Sequence, residues 1–284
     1  MSSCLAGDLL GHYCPRWGGS CAEMSTAIVR IHTPEGFVIA ADGREMILKD
    51  CVLARKTDEA QKIFPIARKD LTCAYSFAGN CVFGQSDDDP TKAAFDFDLE
   101  AQHAIGLLSI YTPSTLYDYA KRLCLEMNMR LSQEIGKLPS DRADAEHPAE
   151  KDTVARMLFD GYCNGIPQRV NVRFWLSNGS LEEPEISPGD ILTSEPYVYG
   201  SSEIHHLLFN TQDERFSSYR RPALRAQDIT MAEAVQIANS YIGACSDPIA
   251  LEIDAKTCRA IGGHIHIAKV TKEQGFEWII PPKV

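Results

Sequence analysis

Residues 26–42 read TAIVRIHTPEGFVIAAD: two apolar, β-branched runs on either side of a short polar stretch. Pro34 and Gly36 occupy the second and fourth places of TPEG (33–36), as a type I turn prefers. Two such runs across a four-residue turn form a β-hairpin. The pattern begins abruptly. Residues 1–24 read as an irregular extension, with Pro15, Gly18 and Gly19 near its end. A fold that accepts this chain must place a hairpin, and hence a sheet, directly after that extension.

Beyond the hairpin, KIFPI (62–66) and LTCAYSFAG (71–79) read as short strands. QSDDDPTKAAFDFD (85–98) is acidic and reads as an exposed insertion, and LEAQHAIGLLSIY after it as the opening of a helix. From Ser114, with Pro113 suited to a first turn, Leu116, Tyr119, Leu123, Met127, Leu131 and Ile135 recur at helical spacing. Gly136 is the natural stop, and the polar residues 137–152 make a loop. VARMLFDGYC and RVNVRFWL (169–176) are strands, and SNGS (177–180) is a turn rather than a glycosylation site. YVYGSSEIHHLLFN (197–210) is a strand running into a short helix. Thr230 and Glu233 form a capping box before the helix 231–244, and the end of the chain is strand, turn, strand. Hairpins outnumber strand–helix–strand crossovers, which indicates α+β layering with antiparallel sheets packed between helices.

Composition excludes several classes. A net charge of −11, with no cluster of Lys and Arg, argues against nucleic-acid binding. No apolar run reaches the length of a membrane span. Asp8 interrupts the only apolar stretch near the start and no basic residue precedes it, so a cytoplasmic protein is expected. The ten cysteines include no CxxC pair, and several sit among apolar residues, as small buried hydrophobes do. His264 and His266 are two apart, and His205 and His206 adjacent, but no third ligand has recognisable metal spacing. Phosphate-cradling and nucleophile-elbow motifs are absent, and no cofactor is expected.

Four elements together resemble proteasome-type subunits of the N-terminal-nucleophile-hydrolase superfamily. Thr26 opens the first strand. Asp42, in AADGR (40–44), follows sixteen residues later at the end of the second. Lys62 begins KIFPI, a few residues later than is usual, which an insertion in ILKDCVLARKTDEAQ would absorb. Ser201, in YGSS, stands where a later strand turns into a helix. FAGN (77–80) and the closing GGHIHIAKVTKEQGFEW are similar as well, so the resemblance runs from about Thr26 to Trp278. It implies an α+β fold, a four-layer αββα sandwich of two antiparallel sheets flanked by helices. It also implies residues 1–25 as an extension or propeptide, residues 26–284 as the domain, and assembly into a homo-oligomeric ring.

The resemblance further implies a threonine-type peptidase acting on peptide substrates, with Thr26, Asp42, Lys62 and Ser201 as its catalytic residues. The chemistry is coherent. A threonine hydroxyl needs a base, and the α-amine of an N-terminal Thr26, with a pKa of about 7.7, would supply one. The Lys62 ammonium would favour the neutral amine and the developing alkoxide, and Asp42 would compensate and orient Lys62. Backbone N–H groups near a glycine-rich turn would hold the oxyanion, and Ser201 would hydrogen-bond near the amine.

Three features depart from the pattern. Ser25, not Gly, precedes Thr26. Thr26 has no free amine while residues 1–25 are attached; a chain begun at Met24 and trimmed would expose Ser25 instead. The family's late Asp-x-x-Ser-Gly-Gly site is CRAIGG (258–263) here, with Cys258 and Ile261 in the polar places and Asp254 four residues off. Two further readings therefore stand beside the peptidase: a catalytically degenerate, ring-forming structural subunit, and an amide hydrolase acting on a small molecule.

Overall fold

The computed structural model describes residues 26–49, 52–79, 82–83, 95–135, 152–177, 180–192, 195–211, 213–219 and 229–283. The hairpin forms as expected, from β1 (Ile28–Thr33) and β2 (Gly36–Ala41), with Thr33 paired to Gly36 across Pro34 and Glu35. The segment after Asp42, read as a loop insertion, is instead a second hairpin of β3 (Glu45–Lys49) and β4 (Val52–Thr57). It absorbs the extra residues before Lys62 as regular structure.

Next come β5 (Ile63–Arg68) and β6 (Leu71–Gly79). Pro65 lies in β5, at a sheet edge, where a missing N–H costs no ladder bond. Two short strands, β7 (Val82–Phe83) and β8 (Phe95–Asp96), pair with each other. Part of the supposed acidic insertion is core. Phe95 and Phe97 are buried, and α1 (Phe97–Leu107) begins there, capped by the Asp96 carboxylate. The mixture of acids and aromatics concealed a helix start: the acids cap it and the rings point inward. Residues 85–94 of that stretch lie outside the described residues.

Helix α2 (Leu116–Ile135) buries the stripe expected of it, Leu116, Tyr119, Leu123, Met127 and Leu131. The long strands β9 (Asp152–Cys163) and β10 (Ile166–Ser177) form a hairpin around Asn164–Gly165, both with positive φ. β11 (Ser180–Leu181) and β12 (Glu185–Pro188) pair with β10. β13 (Tyr197–Tyr199) leads into α3 (Ser202–His205), which continues as a π-helical turn over His206–Asn210. Helix α4 (Met231–Ser246) carries the expected Thr230–Glu233 capping box. Two short helices that the sequence pattern did not reveal follow, α5 (Pro248–Ile253) and α6 (Ala255–Cys258). The chain closes with β14 (His266–Thr271) and β15 (Gly275–Ile280).

The strands form two main sheets, in the orders β13-β1-β2-β14-β15 and β11-β10-β9-β6-β5, with β12 also paired to β10. Every pairing among the described residues is antiparallel. The chain is thus α+β. Three apolar clusters follow from strand alternation. Val29, Ile31, Val38 and Ala40 pack with Ile237, Tyr241 and Ile242 of α4. Ile28, Phe37, Ile39 and Ala41, one residue out of phase, pack with Ile63, Ala74 and Leu158 of the other sheet. That sheet's other face, including Cys73, Tyr75, Phe77 and Phe174, packs with α1 and α2. Both faces of β1 and β2 are buried, which is why their sequence is apolar almost throughout.

One charge sits in this setting. Arg30 of β1 is fully buried and donates to Asp160 of β9 at 2.5 Å, while Arg169 of β10 donates to the other carboxylate oxygen at 2.6 Å. Asn171 and the Phe159 carbonyl accept further Arg30 N–H groups. Burial alone would raise the Asp160 pKa; the two guanidiniums outweigh it and hold the carboxyl below the usual range. The described cysteines Cys73, Cys124, Cys163, Cys245 and Cys258 are free and buried, as small hydrophobes are.

Candidate active site

The end of β2 and the start of β5 bring three of the expected site residues into direct contact. Asp42 stands one residue beyond β2 and Lys62 one residue before β5. Lys62 Nζ donates to Asp42 Oδ1 at 2.8 Å and to Thr26 Oγ1 at 3.3 Å. Thr26 and Lys62 are each 8% exposed, and Asp42 is fully buried.

The Asp42 carboxylate is saturated with donors. Oδ1 also accepts the Ala27 N–H at 2.9 Å, and Oδ2 accepts the N–H groups of Gly262 at 3.0 Å and Arg44 at 3.2 Å. Charge-assisted bonds of this kind offset the desolvation of a buried anion. The Ala27 bond ties the residue after Thr26 to the group that holds Lys62. Gly262 has φ of 148°, and an added Cβ would lie 2.7 Å from the Arg44 guanidinium. The glycine-rich turn therefore gives its Gly262 amide to Asp42 rather than to an oxyanion. Arg44 pins that turn by donating to the Ile261 carbonyl at 3.0 Å and to Asp58 at 2.8 Å.

Ser201 is set by a different element, as N-cap of α3. Its Oγ accepts the Ile204 N–H at 3.2 Å and donates to Asp254 Oδ2 at 2.7 Å. Gly200 lies against Ala27: a Cβ there would be 3.5 Å from the Ala27 Cα and 2.8 Å from the Tyr241 hydroxyl. Ser201 thus sits beside the Thr26 strand with its hydroxyl bonded away from the Thr26–Asp42–Lys62 group. Asp254, the N-cap of α6, stands four residues before Cys258. Burial opposes its ionisation, but hydrogen bonds from Ser201 and Thr257 hold its carboxyl below the usual range. Cys258 and Ile261 are buried.

His264 and His266, the two histidines two residues apart, do not form a metal pair with a third ligand among the described residues, and His266 is hydrogen-bonded. Its Nε2 accepts the Lys62 main-chain N–H at 3.1 Å. His264 Nε2 bonds the Pro281 carbonyl, and the His205 ring packs on Phe209 and Tyr241. No group of three or more His, Cys, Asp or Glu that would hold a metal exists among the described residues.

Two antiparallel sheets with helices make this an α+β protein, with a threonine–lysine–aspartate group at the head of the first strand. Solved structures of that fold type are similar to this chain. The Anbu (Gly-1) mutant from Hyphomicrobium sp. strain MC1 matches with a TM-score of 0.53 at 12% identity, covering 90% of this chain and 87% of that one. The helical assembly of the Anbu complex from Pseudomonas aeruginosa matches at 0.51 and 11% identity, with the same coverage. Anbu from Yersinia bercovieri, described as an ancestral beta-subunit, matches at 0.50 and 10%, covering 89% and 87%. At these identities the likeness is one of fold alone. No protein-family profile and no curated protein matches the sequence.

Proposed function

We propose that this chain is a proteasome-like N-terminal-nucleophile hydrolase, a threonine-type peptidase that works once Thr26 is its first residue. The observation that carries the reading is the contact series from Thr26 Oγ1 to Lys62 Nζ to Asp42 Oδ1, at 3.3 and 2.8 Å, in a setting nearly closed to water. With Thr26 exposed, its amine takes the hydroxyl proton as Oγ1 attacks a substrate carbonyl. The Lys62 ammonium stabilises the developing negative charge on Oγ1, and Asp42 keeps the ammonium in place. Collapse of the tetrahedral adduct breaks the peptide bond as the Thr26 ammonium gives its proton to the leaving amine, and water, deprotonated by the same Thr26 amine, then hydrolyses the acyl ester and restores the Thr26 hydroxyl.

In this reading residues 1–25 are an extension or propeptide and residues 26–284 the domain. The three apolar clusters support a four-layer αββα order. Likeness to Anbu assemblies supports a homo-oligomer. One observation favours a second reading, a structural subunit without cleavage: Cys258 and Ile261 place buried apolar groups where the family carries polar support.

Intact-mass measurement of the purified protein, paired with hydrolysis of a fluorogenic peptide library, decides between the two. A chain beginning at Thr26 that cleaves peptides, and loses all cleavage on Thr26→Ala, is expected. A chain beginning at Thr26 that cleaves nothing would leave the structural subunit standing.

A further inference from the structure

We propose that His266 is a positioning residue for the Lys62–Thr26 contact: its ring, in the neutral form, anchors the Lys62 main chain to the opposite sheet. The catalytic consequence rests on the hydrolase reading; the anchoring does not.

The Lys62 main chain is hydrogen-bonded on both sides. Its carbonyl accepts the Phe77 N–H at 3.3 Å, a bond to β6 in the second sheet. Its N–H points the other way and donates to His266 Nε2 at 3.1 Å, on β14 of the first sheet. Lys62 is therefore strung between two sheets, with one main-chain polar group satisfied by each. Both partners are buried, so a lost acceptor would not be replaced by water without cost.

His266 is well placed to fix the geometry beyond this bond. It pairs in register with Ala41 of β2, the residue before Asp42. One residue of β14 thus carries both the strand that delivers Asp42 and the acceptor that holds Lys62. Its own ring is wedged edge-on against Trp278 of β15, centroids 6.0 Å apart. Asp42 and Lys62 meet at 2.8 Å because the two main chains that carry them meet at His266.

An imidazole nitrogen that accepts a hydrogen bond carries no proton, so the ring proton sits on Nδ1. The charged groups around the ring agree. From β5 comes the Lys62 ammonium, from its own loop the His264 ring, and from β2 and β15 the neutral Ala41 and Trp278. Burial first, and then the Lys62 charge, push the His266 pKa down to about 4. The acceptor is therefore present throughout the neutral range.

The test uses the full chain and two substitutions of similar length, His266→Met, which removes the acceptor, and His266→Gln, whose Oε1 restores one. Two quantities are read in each: reductive methylation of Lys62, followed by peptide mapping, and kcat and KM on a cleaved peptide. For His266→Met the expectation is Lys62 methylation faster by about fivefold or more. With it, kcat should fall by about tenfold at nearly constant KM, since a misplaced catalytic group costs rate rather than binding. His266→Gln should recover most of both. Unchanged methylation and kcat in His266→Met, or equal losses in His266→Gln, would overturn the proposal, the second because it assigns the ring to packing alone. A wild type that begins at Thr26 and cleaves no peptide sinks the hydrolase reading; whatever its first residue, the methylation comparison decides the anchoring. If His266→Met does not fold, the ring nitrogens of the wild type decide by NMR. An unprotonated, hydrogen-bonded Nε2 persisting at about pH 5 is expected, and a ring that titrates like free imidazole overturns the proposal.

Discussion

Lys62 Nζ lies 2.8 Å from Asp42 Oδ1, and the two side chains are almost entirely withdrawn from water. Removing one partner leaves the other as an uncompensated buried charge. Lys62→Met should therefore lower the unfolding free energy by about 3–5 kcal/mol. The double variant Lys62→Met/Asp42→Asn should cost less than the two single changes summed, because neither charge is then stranded. Urea denaturation of the four proteins measures this, and strict additivity would show that the pair is not coupled.

The Arg30–Asp160–Arg169 group gives a second, independent expectation. Asp160→Asn strands two buried guanidiniums between the sheets and should destabilise by about 3–5 kcal/mol. The pH sign follows from the lowered Asp160 pKa. The stabilisation is fully present above the unfolded carboxylate value and is lost as pH falls through the lower folded value. The wild type, compared with Asp160→Asn by thermal melts, should lose its advantage only in strong acid.

His266 acts at milder pH. Its folded pKa, about 4, lies below the ordinary 6.5. Between these values the unfolded chain binds the extra proton and the folded one does not, so stability should rise as pH increases through this window. The full difference is of order 3 kcal/mol. His266→Gln should flatten that part of the stability curve, and an unchanged slope would show that the ring is not held neutral by the fold.

Ser201 and Asp254 form one unit across 53 residues of sequence, with Ser201 capping α3 and Asp254 capping α6. Ser201→Ala should cost about 1 kcal/mol through the lost cap. Once Asp254→Ala has removed the shared bond, the same change should cost measurably less. A double-mutant cycle by calorimetry reads the difference, and a coupling of zero would separate the two caps.

Much of the fold was legible because it is written locally. TPEG marks the first hairpin, the Thr230–Glu233 pair marks the start of α4, and the Leu116–Leu131 stripe marks the buried face of α2. The misread segments are those where local composition and tertiary role diverge. Phe95 and Phe97 stand among acids and were taken for surface, yet they enter the core because Asp96 turns the chain into a helix between them. The insertion before Lys62 is rich in charge and still folds into the β3–β4 hairpin. At the site, Thr26, Asp42 and Lys62 are picked out in the sequence by their resemblance to proteasome-type subunits. The hydrogen-bond partners around them are not. Asp254 stands four residues from the place the resemblance would give it, and the sequence names no partner for His266.

The sequence by itself determined the first hairpin, α2, α4 and the closing strands, and that a threonine, an aspartate and a lysine stand at strand ends. Periodicity and turn chemistry are properties of neighbouring residues, so they can be read in order along the chain. Only the tertiary structure decided that Lys62 reaches Thr26 and Asp42 together, that Gly262 gives its amide to Asp42, and that His266 accepts from Lys62. These contacts join residues up to 220 positions apart. They exist because two sheets are packed face to face, and a buried polar group must find its partner in whatever segment that packing brings within reach.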